Sequence, residues 1–172
     1  MAEIVPLARI DAGAVETLLD RAFGADRFTR TAYRLRAGTV AIPGLSFAAI
    51  DSAASASGGA LLGTIQCWPV RLARPQGDVP LVMVGPVAVE PGHQRGGIGR
   101  TLMEAMLAAA ARDDSPALMM IGDPEYYGRF FGFTADATGG WVIDGPVERH
   151  RLLALPRANE PLPETGEILP RV

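Results

Sequence analysis

Lysine is absent from this chain; all 16 of its fully charged basic residues are arginine. That absence excludes a lysine Schiff base, a catalytic lysine base and the Walker phosphate loop, each of which needs the amine. Cysteine is nearly absent as well. The single Cys67 cannot close an intrachain disulfide or build a cysteine-rich metal site, and two histidines far apart offer a metal little, so no metal is expected. The formal charge of −3 provides no broad surface for nucleic acid or an anionic membrane, although clustered arginines still suit one small anion. No apolar run approaches the roughly 18–20 residues that span a bilayer. The first residues lack the basic start and long apolar stretch of a signal peptide, so a cytoplasmic protein is expected.

What is present suits one soluble domain: 172 residues, 48% of them hydrophobic and 20% charged, is enough chain to bury a core. A strand is predicted over residues 4–10, followed by a helix capped by Asp11 that carries Ala14, Val15, Leu18, Leu19 and Phe23 on its apolar face. A second short helix is expected over 29–36. Residues 45–50 and 60–72 then read as a hairpin with a small-residue tip at 51–59. Residues 81–89 are β-branched and apolar on both faces, as in a central strand, with Pro86 marking a bulge or a local break in pairing. Ile98, Leu102, Ala105, Met106 and Ala109 recur at helical spacing up to about residue 112. Residues 117–121 form the next buried strand, and Asp123-Pro124-Glu125 opens another helix. Phe133, 140–143 and 151–155 supply closing strands, and the proline- and acid-rich tail beyond residue 156 receives no structure. The alternation of strands and helices makes the fold class α/β, with no internal repeat and no domain boundary.

The most informative segment runs from Val87 to Leu102, a buried strand that passes through a glycine-rich turn into an amphipathic helix. Glycines let a ligand approach the backbone, and the first N–H groups of a helix have no internal acceptors. The helix dipole adds about half a positive charge at that end, and Arg95 and Arg100 flank it. A pyrophosphate suits such a turn. The dinucleotide fingerprint G-x-G-x-x-G does not follow the strand. What does stand there is Gln94-x-x-Gly97-x-Gly99 after Val87-x-Val89-x-Pro91.

That order resembles the coenzyme A signature of the Gcn5-related N-acetyltransferase (GNAT) family, and Gly122-Asp-Pro-Glu-Tyr-Tyr-Gly-Arg-Phe-Phe-Gly-Phe133 resembles the family's last helix and the strand start after it. A subgroup of small bacterial-type acetyltransferases carries a similar Gly-Asp-Pro-x-Tyr-Tyr segment and a stretch like Gly145-Pro146-Val147. The resemblance implies a central mixed, mostly antiparallel sheet flanked by helices in a single domain spanning 1–172. It implies acetyl-CoA as co-substrate and direct transfer of the acetyl group to an amine acceptor, without an acyl-enzyme. Carried over residue by residue, it makes the backbone of Val87, Ala88 and Val89 the partner of the pantetheine arm. The loop of Gln94, Arg95, Gly96, Gly97, Gly99 and Arg100 becomes the pyrophosphate cradle.

Acetyl transfer needs a neutral amine, an activated carbonyl and a proton for the departing thiolate. An alkylamine of pKa about 10.4 is neutral only about once in 2500 molecules at pH 7, so a base is valuable. Glu90, at the carboxyl end of the central strand, is the first candidate; Asp123 and Glu125, beyond the next strand, are the others. Glu90 also reads as a solvated turn residue and Asp123 as a helix cap. For the acid, the resemblance points to a tyrosine of the last helix, Tyr127 with Tyr126 in reserve. Related segments place that tyrosine four residues before the glycine of Gly-Phe, whereas Tyr127 lies five before Gly132, a helical rotation of about 100°. Both rings also read as pocket wall. Cys67 and Trp68 read as packing, and His93 and His150 as surface. A non-catalytic acyl-CoA-binding module, and an acyltransferase with another acyl chain or a hydroxyl acceptor, are the alternatives. Self-association into a homodimer is left open.

Overall fold

Asp11 starts the first helix as its side chain predicts: in the computed structural model, which describes residues 2–53 and 59–172, its carboxylate accepts the N–H of Ala14 at 3.0 Å. The helix, α1 (Ala12–Phe23), follows strand β1 (Ala2–Pro6) and a short 3-10 turn, so the predicted first strand ends earlier than residue 10. Next come α2 (Thr31–Leu35), β2 (Phe47–Asp51), β3 (Ala60–Ala73), β4 (Val79–Val89) and α3 (Ile98–Arg112). The remaining elements are β5 (Leu118–Ile121), α4 (Pro124–Phe131), β6 (Gly140–Ile143), β7 (Leu152–Leu155) and β8 (Thr165–Pro170). The strands form a mixed, mostly antiparallel sheet with flanking helices. β1–β2, β2–β3, β3–β8 and β5–β7 pair antiparallel, and β4–β5 and β6–β8 pair parallel. Most of the hairpin tip expected at 51–59 lies outside the described residues.

The chain packs as two compact units, Met1–Phe28 with Ala41–Cys67 and Gly85–Asp114, and Thr29–Val40 with Trp68–Val84 and Ser115–Val172. β3 and β4 each contribute to both, so no single cut in the sequence separates them.

In the first unit, Val15, Leu18 and Leu19 of α1 are buried with Ala88 of β4, and Phe23 packs on their edge. Ala14, predicted on that face, is exposed, because the buried stripe is narrower than the apolar pattern. Arg27 is 1% exposed and is held by Asp20 and Glu16 of α1, two carboxylates that match the buried cation. On α3 the predicted Ile98, Leu102, Met106 and Ala109 are buried, Met103 joins them, and Ala105 is half-buried. Gly63 of β3 sets how closely this helix can sit. A Cβ there would stand 2.9 Å from the Ala88 carbonyl oxygen, 2.9 Å from Ile98 Cγ2 and 3.2 Å from Leu102 Cδ1.

In the second unit β5 is buried between β4 and β7, which accounts for its unbroken apolar run. β4 runs without a break through Pro86, and the Gly85–Pro86 peptide is cis. Among the described residues its parallel ladder to β5 consists of Val82–Leu118 and Met83–Met119. Phe133 is buried but belongs to no strand; Thr134 beside it makes an isolated bridge to Ala154. The tail is ordered, contrary to expectation. β8 pairs with β3 and β6 and buries Ile168 opposite Leu72. Arg71 donates to the Pro170 carbonyl at 3.2 Å, and Arg171 donates to those of Val70 at 3.0 Å and Leu81 at 3.2 Å.

Gly63→Val is expected to lower stability by about 1–3 kcal/mol through overpacking between β4 and α3. Gly139→Ala, where a Cβ would meet nothing within 4 Å, is expected to stay within about 0.5 kcal/mol of the parent. Chemical denaturation of the two variants checks both values.

Candidate functional site

The glycine-rich turn leaves β4 through two consecutive backbone hydrogen bonds, His93 N–H to the Glu90 carbonyl at 2.9 Å and Gly96 N–H to the His93 carbonyl at 3.3 Å. Gly96 thus spends its N–H inside the turn, so its amide is not directed outward as the sequence suggested. Residues 91–97 are all exposed. Gly97 is the N-cap of α3, in the left-handed conformation (φ 76°, ψ 13°), and no side chain caps the helix. Thr101 returns its N–H and its hydroxyl to the Gly97 carbonyl, each at 3.0 Å.

The start of α3 therefore has the composition of an anion site: first-turn N–H groups without intrahelical acceptors, a helix dipole, and no acidic residue in that turn. Gly99 lies against the strand, where a Cβ would be 3.6 Å from Val89 Cγ2 and 3.9 Å from Val87 Cγ1. Val87 and Val89 thus turn their side chains toward α3, whereas Ala88 packs with α1. Gln94 and Arg95 stand exposed on the turn. Arg100 is a partly satisfied cation, its Nε 3.0 Å from Glu104 one helical turn on.

Glu90 is not a solvated turn residue. Its carboxylate accepts Arg21 Nε at 3.0 Å and Arg21 Nη2 at 2.6 Å, while its N–H donates to the Leu62 carbonyl at 2.7 Å. The hydrogen bond to Glu90 also raises the Arg21 pKa, so this pair stays ionised. With both oxygens on one guanidinium, Glu90 ties the last turn of α1 to the end of β4. A cavity of about 430 Å³ lies beside the pair, lined by Thr17, Arg21, Leu61, Leu62, Glu90 and His93. Arg21 was not legible as a site residue, because its partner is 69 positions away and neither residue carries a local motif.

Asp123, Tyr126 and Tyr127 lie together at α4 in the other unit. The Asp123 carboxylate accepts the N–H of Glu125 at 3.0 Å, the helix-cap geometry. The Tyr127 ring covers Gly122 so closely that a Cβ there would stand 2.8 Å from its Cε2, and Tyr126 meets it edge-on at 4.9 Å. Burial first, then the charges of Tyr126 and Asp123, push the Tyr127 phenol up to about 12, against a smaller opposing effect of Arg151. Tyr126 packs instead toward Phe130 at 5.2 Å and Phe131 at 5.9 Å. The additional residue before Gly132 is accommodated inside α4. Gly132 takes the left-handed C-cap (φ 82°), its N–H reaching the Gly128 carbonyl, and Phe133 N–H returns to the Tyr127 carbonyl at 3.3 Å.

Cys67 is buried with its N–H on Ser46 Oγ at 3.1 Å, and burial drives its thiol pKa far upward, so it packs and does not act as a nucleophile. His150 sits on the surface beside Glu148 at 3.4 Å. Among the described residues no group of three or more His, Cys, Asp or Glu is placed to hold a metal, and no helix is long and apolar enough to cross a membrane.

Comparison with solved structures identifies the fold. A GNAT family N-acetyltransferase from Escherichia coli (YhbS), solved in complex with CoA, is similar at a TM-score of 0.76 and 25% identity over 99% of this chain and 89% of that one. A GNAT family acetyltransferase from Brucella melitensis, in complex with acetyl-CoA, gives a TM-score of 0.68 and 24% identity over 98% and 95%. No curated protein matches the chain. The family model described as an acetyltransferase (GNAT) domain matches residues 11–135, well over half of the sequence, and the chain belongs to that family.

Proposed function

We propose that this protein is an acetyl-CoA-dependent N-acetyltransferase in which the whole chain serves as one catalytic domain. The observation that carries the reading is the uncapped, glycine-started N-terminus of α3 directly after β4, in a chain of the GNAT family. The complexes of the E. coli and Brucella relatives with CoA and acetyl-CoA support the choice of co-substrate. In this reading the pyrophosphate sits on the outward amides around Gly97, Gly99 and Arg100, with Arg95 supplying charge and Gln94 a polar contact. Several charge-assisted N–H bonds, each contributing about 1.5–3 kcal/mol, hold a diphosphate without lysine. Val87, Ala88 and Val89 offer the pantetheine arm a strand backbone beyond the last pair of the β4–β5 ladder.

The chemistry is direct attack of an amine on the thioester. Tyr127 is assigned as the residue that meets the departing sulfur. A phenol raised to about 12 stays protonated throughout the neutral range. Full proton transfer to a thiolate whose conjugate acid lies near 8.5 is then uphill by about 5 kcal/mol, so Tyr127 stabilises the thiolate mainly by donating a hydrogen bond. Tyr126 orients that ring edge-on. Glu90, bound by Arg21, and Asp123, bound to the helix backbone, act as positioning residues rather than as the base, so the amine enters neutral or loses its proton to water.

Tyr127→Phe is expected to lower kcat by about 10- to 100-fold, the loss of one charge-assisted hydrogen bond, with acetyl-CoA affinity unchanged. Thiol-release kinetics together with calorimetry check this, and unaltered turnover removes the assignment. Gly97→Val puts a β-branched residue where φ is +76°, and is expected to weaken acetyl-CoA binding at least about tenfold in the same calorimetry. The pH profile follows from the raised phenol. Protonated Tyr127 persists below its shifted pKa, so kcat/KM is expected to rise with the amine's own deprotonation and to show no alkaline fall below about pH 10.

A further inference from the structure

The segment between residues 29 and 40 contains Arg30, Arg34 and Arg36 and no acidic residue, a local excess of positive charge in a chain whose net charge is −3. Arg34 is 3.6 Å from Asp144. Arg36, at the C-cap of α2, has its guanidinium carbon 3.7 Å from the centre of the Tyr33 ring and 4.2 Å from that of Trp68. Stacking between two aromatic faces fixes the plane of the guanidinium and aims its N–H donors outward along that plane.

Trp68 is only 8% exposed, and its Nε1–H is buried with no hydrogen-bond acceptor among the described residues. A buried indole donor ordinarily has a partner. The other tryptophan of this chain obeys that rule: Trp141 Nε1 donates to the Pro163 carbonyl at 2.9 Å. The unused indole donor therefore lies directly beneath a stacked guanidinium, on the most basic stretch of the sequence.

We propose that the Arg36–Trp68 stack is a carboxylate-binding element, and that the amine acceptor of this protein carries a carboxylate. The proposal rests on the acetyltransferase reading only for the word acceptor. A carboxylate is planar and presents two oxygens to a planar fork, and a single cation with a neutral N–H matches its one charge better than the two charges of a phosphate. The half-buried Arg36 side chain lifts its end from the indole as the ligand enters, which lets one oxygen accept Nε1–H while the other stays on the guanidinium.

The test uses the indole N–H signals of the whole protein labelled with ¹⁵N, where Trp68→Phe assigns the two resonances. Glycine, L-alanine, L-methionine and L-phenylalanine are titrated, each against its own amide, with inorganic phosphate as a separate arm. The Trp68 signal is expected to move with the carboxylates and not with the amides, while the internally bonded Trp141 signal stays in place. Arg36→Met is expected to weaken the carboxylate effect about tenfold or more, and Arg36→Lys, which keeps the charge and loses the fork, to weaken it less. A Trp68 signal indifferent to every carboxylate overturns the proposal, as do equal responses to acids and amides or a stronger response to phosphate. Thiol release from acetyl-CoA is followed with the same compounds. A Trp68 response without thiol release upholds the carboxylate element and counts against acetyl transfer. Release with the amides as fast as with the acids, with Trp68 unmoved, upholds transfer and overturns the element.

Discussion

The close seating of α3 on glycine is the constraint from which the rest of the first unit follows. At Gly63 there is no room for even one more carbon between β3, the Ala88 carbonyl and the first two turns of the helix. With α3 held there through Ile98 and Leu102, its first turn lies against Val87 and Val89, and the chain has one left-handed residue, Gly97, in which to pass from turn to helix. A capping serine or aspartate would satisfy the first N–H groups from within. Glycine at the N-cap leaves them for a ligand at the cost of some intrinsic helix stability. The device for binding an anion is thus a consequence of how the strand and helix pack.

A chain without lysine has to do its polar stitching with guanidinium, and the planar fork is visible wherever it does. Arg21 grips both oxygens of Glu90, Arg27 is fully buried between two carboxylates, and Arg71 and Arg171 reach backbone carbonyls that edge the β3–β8 pair. Most of these are geometric roles that a flexible ammonium fills poorly. Exposed ion pairs contribute little to stability, so the Arg21–Glu90 pair, half-exposed on its arginine side, matters more for where it holds α1 than for its energy.

How much of this was legible in the sequence depended on whether the cause was local. The cap at Asp11, the start of α4 at Asp123, the α3 stripe and the unbroken apolar run of β5 are all set by neighbours within a few residues, and all are present. β8 was not legible. Its single buried residue, Ile168, and its flanking glycine and proline carry no strand period, and only pairing with β3 some 100 positions earlier orders it. The same separation hid the Arg21 clamp on Glu90. The glycine turn was readable in outline, but that Gly96 closes the turn on His93 instead of facing outward is a matter of one hydrogen bond. At Tyr127 the sequence showed the ring and not its surroundings. Burial over Gly122, which sets its pKa, comes from the turn of the chain between β5 and α4.

These surroundings divide the labour of an acetyl transfer. A lone alkylamine costs about 5 kcal/mol to neutralise at pH 7, and a protein lowers that cost with a base or by choosing an amine already easier to deprotonate. The two carboxylates at the strand ends are engaged elsewhere, Glu90 by a guanidinium and Asp123 by a helix backbone. A base at either position would have to break an interaction that holds an element in place. The phenol, by contrast, is made a weaker acid by burial, which keeps its proton available as a hydrogen-bond donor across the range in which amines become neutral. Stabilising the leaving group and leaving deprotonation to the acceptor and solvent is the arrangement that costs the fold least.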